Sequence, residues 1–118
     1  MRNLDELSYK VIGCAMEVHN VLGPGLLESV YEQALIHELA MNGIAVKRQV
    51  EVDVNYKGMN IANGLRVDLI VDDELIIELK SVEEIKPIHQ KQLQTYLKLM
   101  DRRIGLLINF NTINLKDG

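Results

Sequence analysis

The sequence predicts an α/β chain of the α+β kind, with one sheet and helices packed against it. Two observations carry that expectation. Apolar residues recur at three- and four-residue steps up to about position 42, and again after Pro87, which is the helical period. From 44 to 80 the period shortens to two, and a short, mostly apolar run follows at Ile104-Gly105-Leu106-Leu107-Ile108. The implied order is helix, helix, three strands, helix, strand. Such an order stacks helices on a single sheet. At 118 residues the expectation is one domain, 1–118, long enough to bury a core without staples.

The elements follow in order. Leu4, Leu7, Val11, Cys14, Ala15, Val18 and Leu22 form one stripe, which predicts a helix over about 4–21. Asn3 followed by Glu6 resembles a capping pair. Gly23-Pro24-Gly25 ends that helix and permits a second over about 26–42, with Leu27, Val30, Tyr31, Ala34, Leu35 and Leu39 as its apolar face. Gly43 is its stop. Val50, Val52 and Val54 alternate with Glu51 and Asp53, as on a half-solvated strand, and Tyr56-Lys57-Gly58 reads as a turn. Residues 65–71 and 74–80 form a hairpin around Asp72-Asp73. Pro87 suits the first position of a third helix over about 87–101. The tail from Asn109 to Gly118 is polar and poorly specified.

Composition narrows the function classes. The net charge is −4, which is unfavourable for a nucleic-acid protein, because Lys and Arg supply most non-specific affinity. The charge is uneven, however. Residues 1–46 hold two basic residues against six acidic ones, whereas 86–103 hold five basic residues against Asp101 alone. A local basic face and an ordinary solvated helix face both fit this pattern. With five aromatic residues in all, a stacking platform for single strands is not expected. The single Cys14 cannot form an internal disulfide, sits in a helical apolar pattern and suits a reducing cytoplasm. No apolar run reaches membrane-spanning length and no signal-peptide pattern opens the chain, so no membrane association is expected.

Three charged residues stand out. Asp68, Glu78 and Lys80 lie in runs that read as buried strands, Leu65-Arg66-Val67-Asp68-Leu69-Ile70-Val71 and Leu75-Ile76-Ile77-Glu78-Leu79-Lys80. Burying an unpaired charge costs several kcal/mol or forces it to neutralise. A divalent cation held by two carboxylates, with an amine beside it, would offset that cost. Such equipment cleaves phosphodiesters. Mg²⁺ or Mn²⁺ is the natural occupant, being hard and oxygen-seeking. The alternative is that Lys80 simply pairs with Glu78 or Asp68 at a sheet margin. Register discriminates. A three-residue loop at 72–74 sets Asp68 opposite Glu78 on one face, and Arg66 opposite Lys80. A two-residue loop at 72–73 would send Glu78 to the other face and destroy the site.

Three patterns, the trio's own among them, stand in order along the chain. Gly25-Leu26-Leu27-Glu28-Ser29-Val30-Tyr31 reads G-x-x-E-x-x-Y; Asp68 with Glu78-Leu79-Lys80 reads D-x9-E-x-K; Gln92-Leu93-Gln94-Thr95-Tyr96 reads Q-x-x-x-Y. Together the chain resembles the GxxExxY protein family, a branch of the PD-(D/E)XK nuclease superfamily. The likeness runs from Val18 to Phe110. It implies a restriction-endonuclease-like core, a four-stranded mixed sheet flanked by helices, two of them N-terminal to the sheet, with metal-dependent cleavage of nucleic acid. Matched by position, Asp68 and Glu78 would bind metal, with the backbone carbonyl of Leu79 as a third ligand. Lys80 would be the catalytic lysine. Glu28 would be a helix-borne acid binding metal directly or through water. Gln92 and Tyr96 would support the metal site and the DNA strand. Val67 replaces the proline that often precedes the first acid.

Each of these residues also has a plain reading. Glu28 would gain from the helix dipole at any helix start. Tyr31, on the same side of that helix, fits core packing with its hydroxyl bonded near the site. Gln92 and Tyr96 fit an amphipathic helix with Leu93, Leu97 and Met100, and His89, one turn earlier, fits a surface position. His19 fits a structural hydrogen bond, and His37 has no partner at metal spacing. The sequence therefore carries two readings. One is a Mg²⁺- or Mn²⁺-dependent nuclease acting on DNA, as a homodimer or with a larger partner protein. The other is a binding or regulatory module on the same fold without useful turnover.

Overall fold

The computed structural model describes residues 4–118. Three helices and four strands follow in the order α1 (Leu4–Leu22), α2 (Glu28–Met41), β1 (Val46–Tyr56), β2 (Met59–Val71), β3 (Leu75–Lys80), α3 (Pro87–Met100) and β4 (Ile104–Asn109). A short 3₁₀ turn, Leu115–Asp117, closes the tail. The sheet order is β1-β2-β3-β4. The first three strands are antiparallel, and β4 runs parallel to β3 after the α3 crossover. This is a mixed four-stranded sheet of the restriction-endonuclease-like kind.

The sheet separates two cores. On one face Leu75, Ile77 and Leu79 of β3 and Ile108 of β4 pack with Leu7, Val11 and Val18 of α1 and Leu35 and Leu39 of α2. On the other, Ile70 and Ile76 pack with Leu93 of α3. Side chains alternate along a strand, so Glu78 and Lys80 share the α3 face with Ile76. Gly105 permits the α3 crossover to close down, since a Cβ there would stand 2.9 Å from Leu93 Cδ1.

The hairpin loop is 72–74. Val71 pairs with Leu75, Ile70 with Ile76 and Leu69 with Ile77, which is the three-residue loop that aligns Asp68 with Glu78. Asp72 and Asp73 take φ values of 50° and 59°, conformations that Asp tolerates better than most residues. The apolar phase of β2 also changes at Asp68: Leu65 and Val67 pack on the α3 side, whereas Leu69 and Val71 pack against α1 and α2. Across from it on β1, between Arg48 and Val50, Gln49 turns through φ 49°. Both changes fall where the ladder between β2 and β3 stops, at Leu69–Ile77.

Several expectations are corrected. Helix α2 begins at Glu28, with Leu27 as an exposed N-cap. Leu27 therefore leaves the expected apolar face. Val30 is also exposed, lying about 100° around the helix from Tyr31. Their place is taken by Glu32, buried and held by Arg48 Nε at 3.1 Å and Gln49 Nε2 at 3.0 Å. Residues 59–64 extend β2 up to a tight turn at Lys57 and Gly58. The Asn3 capping expectation lies outside the described residues.

Candidate functional site

Beyond Leu69–Ile77 the strands β2 and β3 part, and two carboxylates take over from the ladder. The Asp68 N–H donates to Glu78 Oε2 at 2.8 Å, and the Leu79 N–H donates to Asp68 Oδ2 at 2.8 Å. The sequence places both acids at this level because a three-residue loop aligns them and the flanking apolar residues anchor both strands on the core. Glu78 is 5% exposed. Its carboxyl is pushed up to about 7, chiefly by burial, with the charge of Asp68 and a side-chain hydrogen bond to it adding to the rise and the Asp68 N–H and the Lys80 charge opposing it. Among the described residues Lys80 makes no ion pair, so its charge acts on Glu78 through space. The expected alternative of a direct Lys80–carboxylate pair is not what the structure contains.

This donor set fits a hard divalent cation. Two acids adjoin, one is buried with its proton affinity raised, and each accepts a main-chain N–H from the other's strand. The Leu79 carbonyl is oriented to join them. The Lys80 carbonyl accepts from Phe110 N–H on the β4 side, while the Leu79 N–H faces Asp68 on the β2 side. Peptide groups alternate along a strand, which leaves the Leu79 carbonyl on the β2 side as well. Glu28 does not close around the pair: among the described residues no three Asp, Glu, His or Cys side chains converge to hold a metal. Glu28 is exposed in the first turn of α2.

The neighbouring elements are tied to this corner. The Tyr31 hydroxyl donates to the Gly23 carbonyl at 2.6 Å and accepts from Leu26 N–H at 3.0 Å. Its ring stacks on Phe110 at 4.5 Å. The G-x-x-E-x-x-Y spacing thus has a local cause, since the tyrosine ties down the Gly23-Pro24-Gly25 loop in front of Glu28. That loop is joined to the end of β3 by Ser81 Oγ, which donates to the Leu26 carbonyl at 2.7 Å. His19 donates through Nε2 to the Thr112 carbonyl at 2.7 Å, a structural bond.

Asn109 was missed by sequence reasoning. It is 2% exposed; its Oδ1 accepts from Val82 N–H at 3.1 Å and Asn111 N–H at 3.2 Å, and its Nδ2 donates to the Val82 carbonyl at 2.9 Å. It therefore fixes the chain two residues after Lys80. The available signal was a polar residue closing the apolar run at 104–108.

From the opposite side, α3 brings Gln92 and Tyr96 to a cavity of about 410 Å³ that Lys80 also lines. Burial raises the Tyr96 hydroxyl above its usual range, with Glu78 and Asp68 adding to the rise and Arg66 opposing it, so the hydroxyl stands within electrostatic reach of the pair. His89 Nδ1 accepts from Lys86 N–H at 3.0 Å at the helix start.

A mixed sheet whose parting strands present an acid pair beside a lysine defines a nuclease-fold protein. A family model for the PD-(D/E)XK nuclease superfamily matches residues 5–118, and the chain belongs to that superfamily. No curated protein and no solved structure gives a significant match. Among the described residues, no helix is long and apolar enough to cross a membrane.

Proposed function

We propose that the chain is a Mg²⁺- or Mn²⁺-dependent nuclease that hydrolyses DNA phosphodiester bonds, from the GxxExxY branch of its superfamily. The observation that carries this reading is the buried Asp68–Glu78 pair, each carboxylate accepting a main-chain N–H from the other's strand, with the Glu78 carboxyl raised. Asp68, Glu78 and the Leu79 carbonyl hold the ion. When bound, such an ion polarises a phosphodiester and lowers the pKa of water. Lys80 orients the attacking water and stabilises charge building on the phosphate. Glu28 acts through an intervening water from the α2 start, which the Ser81–Leu26 bond keeps at this corner. Gln92 and Tyr96 hold the substrate strand against the site. With a net charge of −4 the lone domain would grip duplex DNA weakly, so it works as a homodimer or on a larger partner protein. The buried thiol of Cys14 supports a reducing, cytoplasmic setting.

The test is cleavage of several DNA forms with Mn²⁺ by wild type, Asp68→Ala and Lys80→Ala. Turnover by wild type alone is expected. Equal residual cleavage in all three would mark a contaminant and remove the reading. A second reading, a binding module without turnover, is favoured by the exposed, unconverged Glu28. It predicts metal-dependent stabilisation with no cleavage of any form.

A further inference from the structure

The cavity beside Lys80 differs in character from the acid pair it adjoins. Its lining includes Lys80 of β3 and Ile88, His89, Lys91, Gln92 and Tyr96 of α3. No carboxylate among the described residues lines it. The His89 tautomer is fixed by its surroundings. Nδ1 accepts from Lys86 N–H, so in the neutral ring the proton sits on Nε2, which is left to donate. His89, Lys91 and Lys80 thus present an N–H donor and two ammonium groups to one hollow. Lys80 and Tyr96 belong to both this hollow and the neighbourhood of Asp68 and Glu78. A cavity of about 510 Å³ sets Asp72, Asp73, Glu74 and Asp101 against Arg102 and Arg103, and one of about 460 Å³, which shares His89, holds Glu83 and Glu84; neither lining is free of carboxylates.

We propose that this hollow is a second phosphate subsite, in which His89 Nε2 and Lys91 Nζ hold the phosphodiester next to the scissile one. The proposal rests on the nuclease reading and deepens it. It makes the substrate a polynucleotide strand with at least two consecutive phosphodiesters, not an isolated diester. Ile88, exposed at the rim, covers the intervening nucleoside. The hollow is large enough for a sugar-phosphate unit, and its two new contacts lie two residues apart on one helix, both lining it.

The experiment measures binding of single-stranded oligonucleotides with one, two and four phosphodiesters, in Ca²⁺, to the full chain. Two variants keep the fold testable. Lys91→Gln removes an exposed charge. His89→Asp retains an acceptor for Lys86 N–H and suits a helix start, but removes the donor. Circular dichroism checks that both remain folded. Wild type should gain affinity steeply from one to two phosphodiesters. Each variant should lose about three- to tenfold of that gain, and Lys91→Gln should also flatten the salt dependence by about 0.7 in slope, the value of one charged contact on a single strand. Variants that match wild type at every length and salt would overturn the subsite while leaving the nuclease reading intact. If wild type binds no oligonucleotide at all and cleaves none, the nuclease reading itself falls, and the subsite with it.

Discussion

The main-chain N–H of Asp68 donates to Glu78 Oε2 at 2.8 Å, so the strand carrying the first acid holds the side chain of the second. The Leu79 N–H returns the arrangement to Asp68. Neither carboxylate can swing freely, and both remain where the ladder between β2 and β3 has ended. Preorganisation of this sort makes metal binding a stability measurement. A ligand that binds only the folded state at 100 times its Kd stabilises by about 2.7 kcal/mol. Mn²⁺ should therefore raise the melting temperature of wild type by several degrees. Asp68→Asn and Glu78→Gln keep acceptors for the two N–H groups and should show no rise. A rise of equal size in either variant would move the metal elsewhere.

The raised carboxyl of Glu78 gives a pH dependence whose sign can be worked out. Its folded-state value is about 7 against 4.5 for the free group, so the folded chain binds the extra proton. The stabilisation is complete below about 4.5 and is lost as pH rises through 7. The span is about 3 kcal/mol, at 1.36 kcal/mol per unit. Metal reverses the slope, because it must displace that proton. Metal-free wild type should lose stability from pH 5 to 8 relative to Glu78→Gln, and Mn²⁺ affinity should rise towards pH 7 and then level. Parallel pH curves for the two metal-free proteins would contradict the assignment.

Asn109 makes three hydrogen bonds in a nearly closed site, two of them to Val82. Asn109→Ala leaves the Val82 N–H and C=O without partners there, at about 1–3 kcal/mol for each buried group left unsatisfied. A loss of about 2–4 kcal/mol in chemical denaturation is expected. The same change frees the chain just past Lys80, so kcat should fall more than KM rises. A denaturation midpoint equal to wild type would show that water replaces the amide.

The residues legible in sequence and those that were not differ for physical reasons. The α1 stripe follows from periodicity because it packs one face on a core, the α3 start from Pro87, and the strand bearing Glu78 from a continuous apolar run buried on both faces of the sheet. The alignment of Asp68 with Glu78 was legible only as a condition, since one residue of loop length inverts every side chain. The extension of β2 through 59–64 was hidden because Asn60, Asn63 and Gly64 carry turn chemistry, and this ribbon segment has little core to bury. The α2 face was overextended to Leu27 because periodicity does not mark where a helix begins. The roles of Asn109 and Glu32 were not legible, because their partners, Val82 and Arg48, are remote in sequence or on another element; Asn109 showed only as a polar residue closing an apolar run.

Tyr31→Phe isolates one hydroxyl. The Phe110 stack and the buried ring remain, while the bonds to Gly23 and Leu26 are lost. The expected cost is about 1–3 kcal/mol, since the Gly23 carbonyl and Leu26 N–H lose a shared partner. The loop before Glu28 should then exchange its amide hydrogens faster than α1 does. Unchanged exchange at Leu26 would show that Ser81 alone holds the loop.

Lys80 separates binding from chemistry. Its ammonium makes no ion pair among the described residues and acts on Glu78 only through space, in the direction that favours the charged carboxylate. Removing it therefore leaves the acid pair assembled and slightly harder to ionise. Lys80→Met keeps the length and apolar stem of the side chain. The Mn²⁺-induced rise in melting temperature should persist in this variant, at a somewhat higher metal concentration. Turnover should fall about 10²- to 10³-fold, the scale of losing one preorganised group that stabilises charge in the transition state. The two readouts must part company for the assignment to stand. Joint loss of metal response and turnover would make Lys80 a structural counter-charge, and joint retention would hand the chemistry to another cation, of which Arg66, within electrostatic reach of Tyr96, is the nearest in sequence to Asp68.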